Sequence, residues 1–208
     1  GVDDGGETFA LAGATPLTVV SNGRPHRVNI FSFESEAETE LVCLPEAAEA
    51  VVKKVVLANR AAHPVLAGPV DLVIDGGLIG HTPILFVAPD EKFEIGFGPD
   101  AALRVRRNVE RVDEKAGTLG RYVRQKLTVK LNLSNTGGQT RSFEVRERIP
   151  VSEVEQVQID FDVKGTTPSA SPDKDGFVVW HVTLPASGQK KVTMKYTLTK
   201  HRDVVGLP

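Results

Sequence analysis

Five histidines, His26, His63, His81, His181 and His201, are the side chains whose ordinary titration range best suits proton transfer or metal binding near neutral pH. Their spacing follows no ligand pattern; His181 falls on the wet parity of a strand, and His81 follows Gly80 in an expected turn. Asp160 and Asp162 share the parity of one strand and resemble a glycosidase carboxylate pair. A wet strand face lacks the apolar pocket that raises the pKa of the acid partner, so a solvated face explains them better. Asp173-Lys174-Asp175-Gly176 holds half the donors of a calcium loop and none of its downstream bidentate glutamate; a tight turn accounts for the same residues. The single Cys43 excludes an internal disulfide and a cysteine-built zinc site. Nucleophile elbow, Walker loop and His-Glu-x-x-His pair are all missing from the chain. The sequence therefore assigns no catalytic, cofactor-binding or metal-ligating residue, and no cofactor.

Binding chemistry is equally sparse. Between Arg104 and Lys126 eight basic residues stand against Glu110, Asp113 and Glu114, an excess suited to phosphates or an acidic partner. Val105, Val109, Val123 and Leu127 run through the same stretch, which makes it a pair of strands with charged outer faces, and Tyr122 is the one aromatic ring nearby. Nucleic acid is not an expected partner. Trp180 and Tyr196, the rings best suited to a sugar platform, fall on apolar parities and are expected in the core.

The elements that would position such groups are strands. Leu127, Val129, Leu131 and Leu133 alternate with Lys126, Thr128, Lys130 and Asn132, giving one buried and one wet face. Asn135-Thr136-Gly137-Gly138 then predicts a hairpin into a strand with Phe143, Val145 and Ile149 on one parity, where Glu147 breaks the apolar pattern. Alternation returns at 157–163, 178–184 and 192–198. Upstream, strands are expected at 17–20, 28–31, 41–44, 51–57, 70–74 and 93–97, with Gly68-Pro69 as a reversal, Asp75-Gly76-Gly77 as a hairpin and at most one helical turn near 46–49. Pro150 marks a point where a strand leaves its ladder.

The expected fold is all-β, an antiparallel β-sandwich in two sandwich-like lobes. A flexible arm or linker covers 1–14, a β-rich lobe 15–110, an immunoglobulin-like lobe 111–203 and a tail 204–208. With 208 residues the chain can bury its own core without staples. A net charge of −2 supplies no global field toward nucleic acid or anionic lipid, and no apolar run reaches the roughly 18 residues of a membrane-spanning helix. The opening Gly1-Val2-Asp3-Asp4, without an initiator Met, reads as a piece of something longer.

Several short motifs occur in order: Leu57-Ala58-Asn59-Arg60, Pro64 to Val70, Asp75 to Gly80, Val87 to Phe93, Gly96 to Asp100, Glu147 to Glu153 and Gly176 to Trp180. On these the chain resembles the C-terminal domain of unknown function of mucoidy inhibitor A-like proteins, from near Leu17 almost to the end. Glu147 stands where that family more usually has Asp, and Pro99 where it has a β-branched residue. The resemblance implies a bacterial protein with a smaller β-rich domain and a coiled coil ahead of this one. It implies a link to mucoid polysaccharide and a leaning toward the cell envelope, and it carries over no catalytic residue. The expectation is a non-enzymatic interaction or structural module whose partner is protein, its own upstream coiled-coil region or another chain. A carbohydrate-binding or carbohydrate-active domain is the alternative; exposed aromatic rings beside carboxylates would distinguish it.

Overall fold

The computed structural model describes residues 10, 11, 13, 16–116 and 121–204, the side chains of 115 and 116 excepted. These residues form strands and no helix. They divide into two compact units, one made of the described residues up to Glu40 with Lys53–Gly98 and the other of Leu41–Val52 with those from Pro99 onward.

In the second unit, β6 (Leu103–Ala116), β7 (Tyr122–Asn135), β11 (Gln189–His201) and β9 (Val157–Phe161) lie side by side in that order, all antiparallel. A second layer holds β10 (Phe177–Leu184), β8 (Arg141–Arg148) and the end of β1 (Ala37–Cys43). There β1 pairs with β8 in parallel, Val42 opposite Glu144 and Cys43 opposite Val145, an exception to the antiparallel rule of the fold. The alternating apolar residues do what their period requires. Leu127 to Leu133 of β7, Val192 to Leu198 of β11, Phe143 and Val145 of β8 and Val178 to Leu184 of β10 bury one side chain in two and share one core. Each fully buried Leu or Val there is worth about 1.5–3 kcal/mol of transfer free energy, which makes this shared core the main apolar contribution of the unit.

The expected hairpin from β7 to β8 does not form. β7 pairs with β6 and β11, while β8 pairs with β10 and β1, so residues 136–140 cross from one layer to the other. Alternation reports which face is buried, and two strands facing each other across a core alternate as two hairpin neighbours do. The crossing is tied by Asn135, whose Nδ2 donates to the carbonyls of Gln139 (2.8 Å), Leu184 (3.3 Å) and Pro185 (2.9 Å) while its Oδ1 accepts the Gly137 N–H. A Cβ on Gly137 would lie 2.9 Å from that of Ala102, so only glycine fits the corner. Pro150 follows the end of β8, where the chain leaves for β9 in the other layer. The single helical turn expected near 46–49 falls at 44–48, where the N–H groups of Ala47 and Ala48 both donate to the Leu44 carbonyl.

The first unit holds the start of β1, then β2 (Val51–Ala58) and β5 (Lys92–Pro99) as neighbours, and a separate ribbon of β3 (Gly68–Ile74) with β4 (Gly77–Ile84). The hairpin at Asp75-Gly76 has positive φ at both central residues, 50° and 77°, the geometry of a two-residue turn matched to strand twist. Gly68-Pro69 opens β3 instead of reversing the chain; Pro69 faces Pro83 at the ribbon's base, a strand start where a missing N–H is tolerated. No strand forms at 17–20 or 28–31. Their β-branched composition favours a half-buried pleated surface, and Leu17, Val19, Val20 and Val28 are exposed instead.

The division expected after residue 110 lies inside β6, which continues unbroken from Leu103 to Ala116. The expected arm at 1–14 falls mostly outside the described residues, as does the tail beyond Val204.

Candidate functional site

The densest group of buried ionisable side chains sits in the second unit. Period two on β8 turns Phe143, Val145 and Glu147 inward, and Glu147 is fully buried. On β6 the same period aligns Leu103, Val105 and Arg107, and the Arg107 Nε–H donates to both oxygens of Glu147, at 3.2 and 3.1 Å. The ion pair thus joins one layer of the sandwich to the other. A carboxylate removed from water without such a partner would cost several kcal/mol. The backbone N–H of Arg107, on the edge of its sheet, donates to Glu49 Oε1 at 2.7 Å, so the turn after β1 covers a free edge position.

Electrostatics follow from this burial. Desolvation pushes the Glu147 carboxyl above the ordinary carboxylate range, against the opposing hydrogen bond and charge of Arg107. Cys43, wholly buried, has its thiol pushed up to about 12 by burial first and the charge of Glu147 second. Burial also raises Tyr196, opposed by Arg107 and Arg111. A protonated, inaccessible thiol is no nucleophile, and a carboxylate whose two oxygens are both engaged by one guanidinium is no free base. The chemistry this arrangement performs is fastening. In the sequence Glu147 is a parity exception and Arg107 one of a basic run; each shares the parity of its apolar neighbours, a signal that marks both as inward but does not pair them.

The residues weighed from the sequence are not brought together. His26 lies 3.1 Å from Asn22 Oδ1, His63 packs tilted on Phe31, His181 is exposed, and His201 meets Tyr122 edge to face. His81 lies within β4 and not in a turn; its Nδ1 is 2.8 Å from Asp71 Oδ1, and Arg27 binds the other oxygen at 3.1 Å. Those two contacts, His81 first, hold the Asp71 carboxyl below its ordinary value. Asp160 is on β9, whereas Asp162 lies beyond its end, where its Oδ1 accepts the Gly165 N–H at 2.8 Å; the shared strand face does not exist. Asp173 Oδ1 accepts the N–H groups of Asp175 and Phe177, closing a turn with its own side chain. Among the described residues no group of three or more His, Cys, Asp and Glu is placed to hold a metal ion.

Trp180 is buried, its Nε1–H donating to the Pro168 carbonyl at 2.9 Å, and Tyr196 is buried with it. Tyr122 is the exposed tyrosine. The acidic residues of the basic stretch pair across β6 and β7, Glu114 with Lys126 and Glu110 with Lys130 just beyond it. In the first unit a cleft of about 370 Å³ opens between Ser35–Glu38, Val56–Ala58, Arg60 and Lys92. Beside it the Leu57-Ala58-Asn59-Arg60 motif has a structural explanation. Asn59 is fully buried and its Nδ2 donates to the carbonyls of His63, Val87 and Ala88, while its Oδ1 accepts the Ala61 N–H.

Fold and site together define an all-β sandwich protein whose buried ionisable and amide groups are bound into its own framework. The chain belongs to the family described as Domain of unknown function (DUF4139), which matches residues 4–200. It is similar to Protein F37C4.5 of Caenorhabditis elegans, 23% identical over 197 residues, which cover 89% of this chain and 35% of that protein. The chain therefore spans about a third of the length of this curated relative. No solved structure matches it.

Proposed function

We propose that this chain is a non-enzymatic interaction and structural module of a larger protein, of the mucoidy inhibitor A-like kind that its motifs resemble, in which a coiled coil accompanies the sandwich. The observation that carries this reading is the β3–β4 ribbon, where Val73, Ile74, Leu78 and Ile79 are exposed together around one turn. Grouped exposed aliphatic side chains mark contact surfaces, whereas singly scattered ones do not. The longer relative supports a module set within a larger chain. Burial of Trp180 and Tyr196 weighs against a sugar platform, which would rest on Tyr122 alone.

The test is capture of the remaining polypeptide of the full-length protein, expressed separately, by this chain. Retention that Leu78→Asp abolishes is the expected result. Failure to retain it, with both parts folded by circular dichroism, overturns the reading of this surface as an intramolecular dock. A glycan array that stays blank is expected alongside; binding lost on Tyr122→Ala would favour the carbohydrate reading instead.

A further inference from the structure

Among the described residues of the first unit, Ala58, Leu72 and Val87 are the buried apolar side chains. Against them stand Leu17 at 58% exposure, Val20 at 63% and Leu78 at 60%, with Val19, Val73 and Ile79 close behind. The β3–β4 ribbon, which carries Val73, Leu78 and Ile79, has two strands, and a two-stranded ribbon is marginal in water without a third strand or a covering layer. The chain also holds a strand-forming segment without a sheet, Leu17-Thr18-Val19-Val20.

The free backbone of the ribbon can be located. Pro69 lies directly opposite Pro83, and two prolines cannot exchange ladder hydrogen bonds, so this is a pair whose backbone nitrogens point outward. The same parity turns the N–H and C=O of Asp71 and Val73 outward from β3. Proline blunts the base of this edge, which leaves the four residues Asp71–Ile74 open toward the turn. The donor segment is also four residues long. Past the donor comes Arg24, and the acceptor edge ends at Asp75, so donor and acceptor carry opposite charges outside the Arg27–Asp71 pair that each chain makes for itself.

Within one chain the two do not pair. Arg27 is fixed to Asp71 of its own ribbon, and the Asn22-Gly23 turn, with Gly23 at φ 66° and Asn22 Oδ1 accepting the Arg24 N–H, interrupts the extended run between Val20 and Arg27. We propose that two copies of this chain associate by exchanging Leu17–Val20, which adds as a third strand along the β3 edge of the other copy. This rests on the interaction-module reading and names a second copy as the partner of that surface. Exchange uses the unpaired donor and the unpaired acceptor of each molecule at once and closes with two-fold symmetry.

Sedimentation equilibrium of the 208-residue chain tests it. A reversible dimer of the 22.4 kDa chain is expected. Val19→Pro removes an N–H from the exchanged segment and Val73→Pro one from the β3 edge, each at an exposed position, and each weakens the dimer by about tenfold or more. Both variants keep the wild-type circular dichroism spectrum. Mixing the two regains one of the two junctions, because the Val19→Pro ribbon still accepts the intact segment of the Val73→Pro copy, so the mixture associates more tightly than either variant alone and less tightly than wild type. A chain monomeric up to about 100 μM, well above the micromolar range of specific association, overturns the proposal. So does a dimer indifferent to both variants, or a mixture that associates no more tightly than either variant alone. Capture of the remaining polypeptide by a monomeric chain would leave the module reading standing and remove only the second copy as its partner.

Discussion

The Arg107 side chain lies inside the sandwich because Glu147 does: its Nε–H reaches both carboxylate oxygens at 3.1–3.2 Å, while its backbone N–H is held by Glu49. One arginine therefore links two sheets and the turn after β1. The two partners are unequal, since Glu147 is fully buried and the Arg107 side chain is 24% exposed. Removing the arginine strands a charge in the core; removing the glutamate leaves a cation that can turn toward water.

Arg107→Ala should accordingly destabilise the second unit by about 3 kcal/mol, at the lower end of the cost of breaking a buried pair because the arginine is partly solvated. Glu147→Gln should cost less, and Arg107→Leu combined with Glu147→Leu should recover most of the single-variant loss, apolar substitution of a buried pair being close to neutral. Urea denaturation of the four proteins gives the comparison. Arg107→Ala no worse than Glu147→Gln would show that burial of the carboxylate is not the dominant cost.

The same burial sets a pH dependence. The folded-state pKa of Glu147 lies above its ordinary value of 4.5, so the stability it contributes is complete below that value and is lost as pH rises through the folded pKa. Glu147→Gln mimics the protonated form and does not titrate. The stability of the variant relative to wild type should therefore be lowest at acid pH and climb as the wild-type carboxyl ionises. Denaturant midpoints across a pH series report the difference, in which other titrating groups cancel. A variant whose stability relative to wild type falls with rising pH would mean that Arg107 outweighs desolvation.

Cys43, with its thiol pushed up to about 12 and no exposed surface, should resist alkylation in the native protein at pH 8 and react readily in denaturant. Iodoacetamide labelling followed by intact mass measures both rates. Native labelling as fast as denatured labelling would require the Cys43 end of β1 to open easily from β8.

Particular residues show why the sequence was legible in part. Leu127, Val129, Leu131 and Leu133 announce a buried face because side-chain direction is local, fixed by the backbone every two residues. The partner of that face is not local: β7 and β8 alternate alike whether joined as a hairpin or opposed across a core, and the strand pairing, tied at the corner by Asn135 and its three carbonyls, is what makes the crossing. Leu17–Val20 looks like a strand by composition, but a strand needs a neighbour, which composition cannot supply. Glu147 was visible as a misfit on an apolar parity, and Arg107 carried the same parity on β6. Pairing the two required the register that brings 107 beside 147, a tertiary fact.

Asn59 offers the sharpest contrast between a motif and a site. Its Nδ2 serves three carbonyls and its Oδ1 one N–H in a unit with few buried apolar side chains, so hydrogen bonding carries an unusual share of local order there. Asn59→Ala leaves those groups without their partner and should cost about 1–3 kcal/mol. Asn59→Asp should cost more, because it sets a carboxylate against three carbonyl oxygens where an amide donated. Hydrogen exchange localises the damage: protection should fall at Ala61, whose N–H donates to Asn59 Oδ1, and at Glu91, whose N–H shares the Ala88 carbonyl with Asn59 Nδ2, while the β7 and β11 amides of the second unit stay protected. Equal effects of the two substitutions would indicate that the space filled by Asn59 matters and its donors do not.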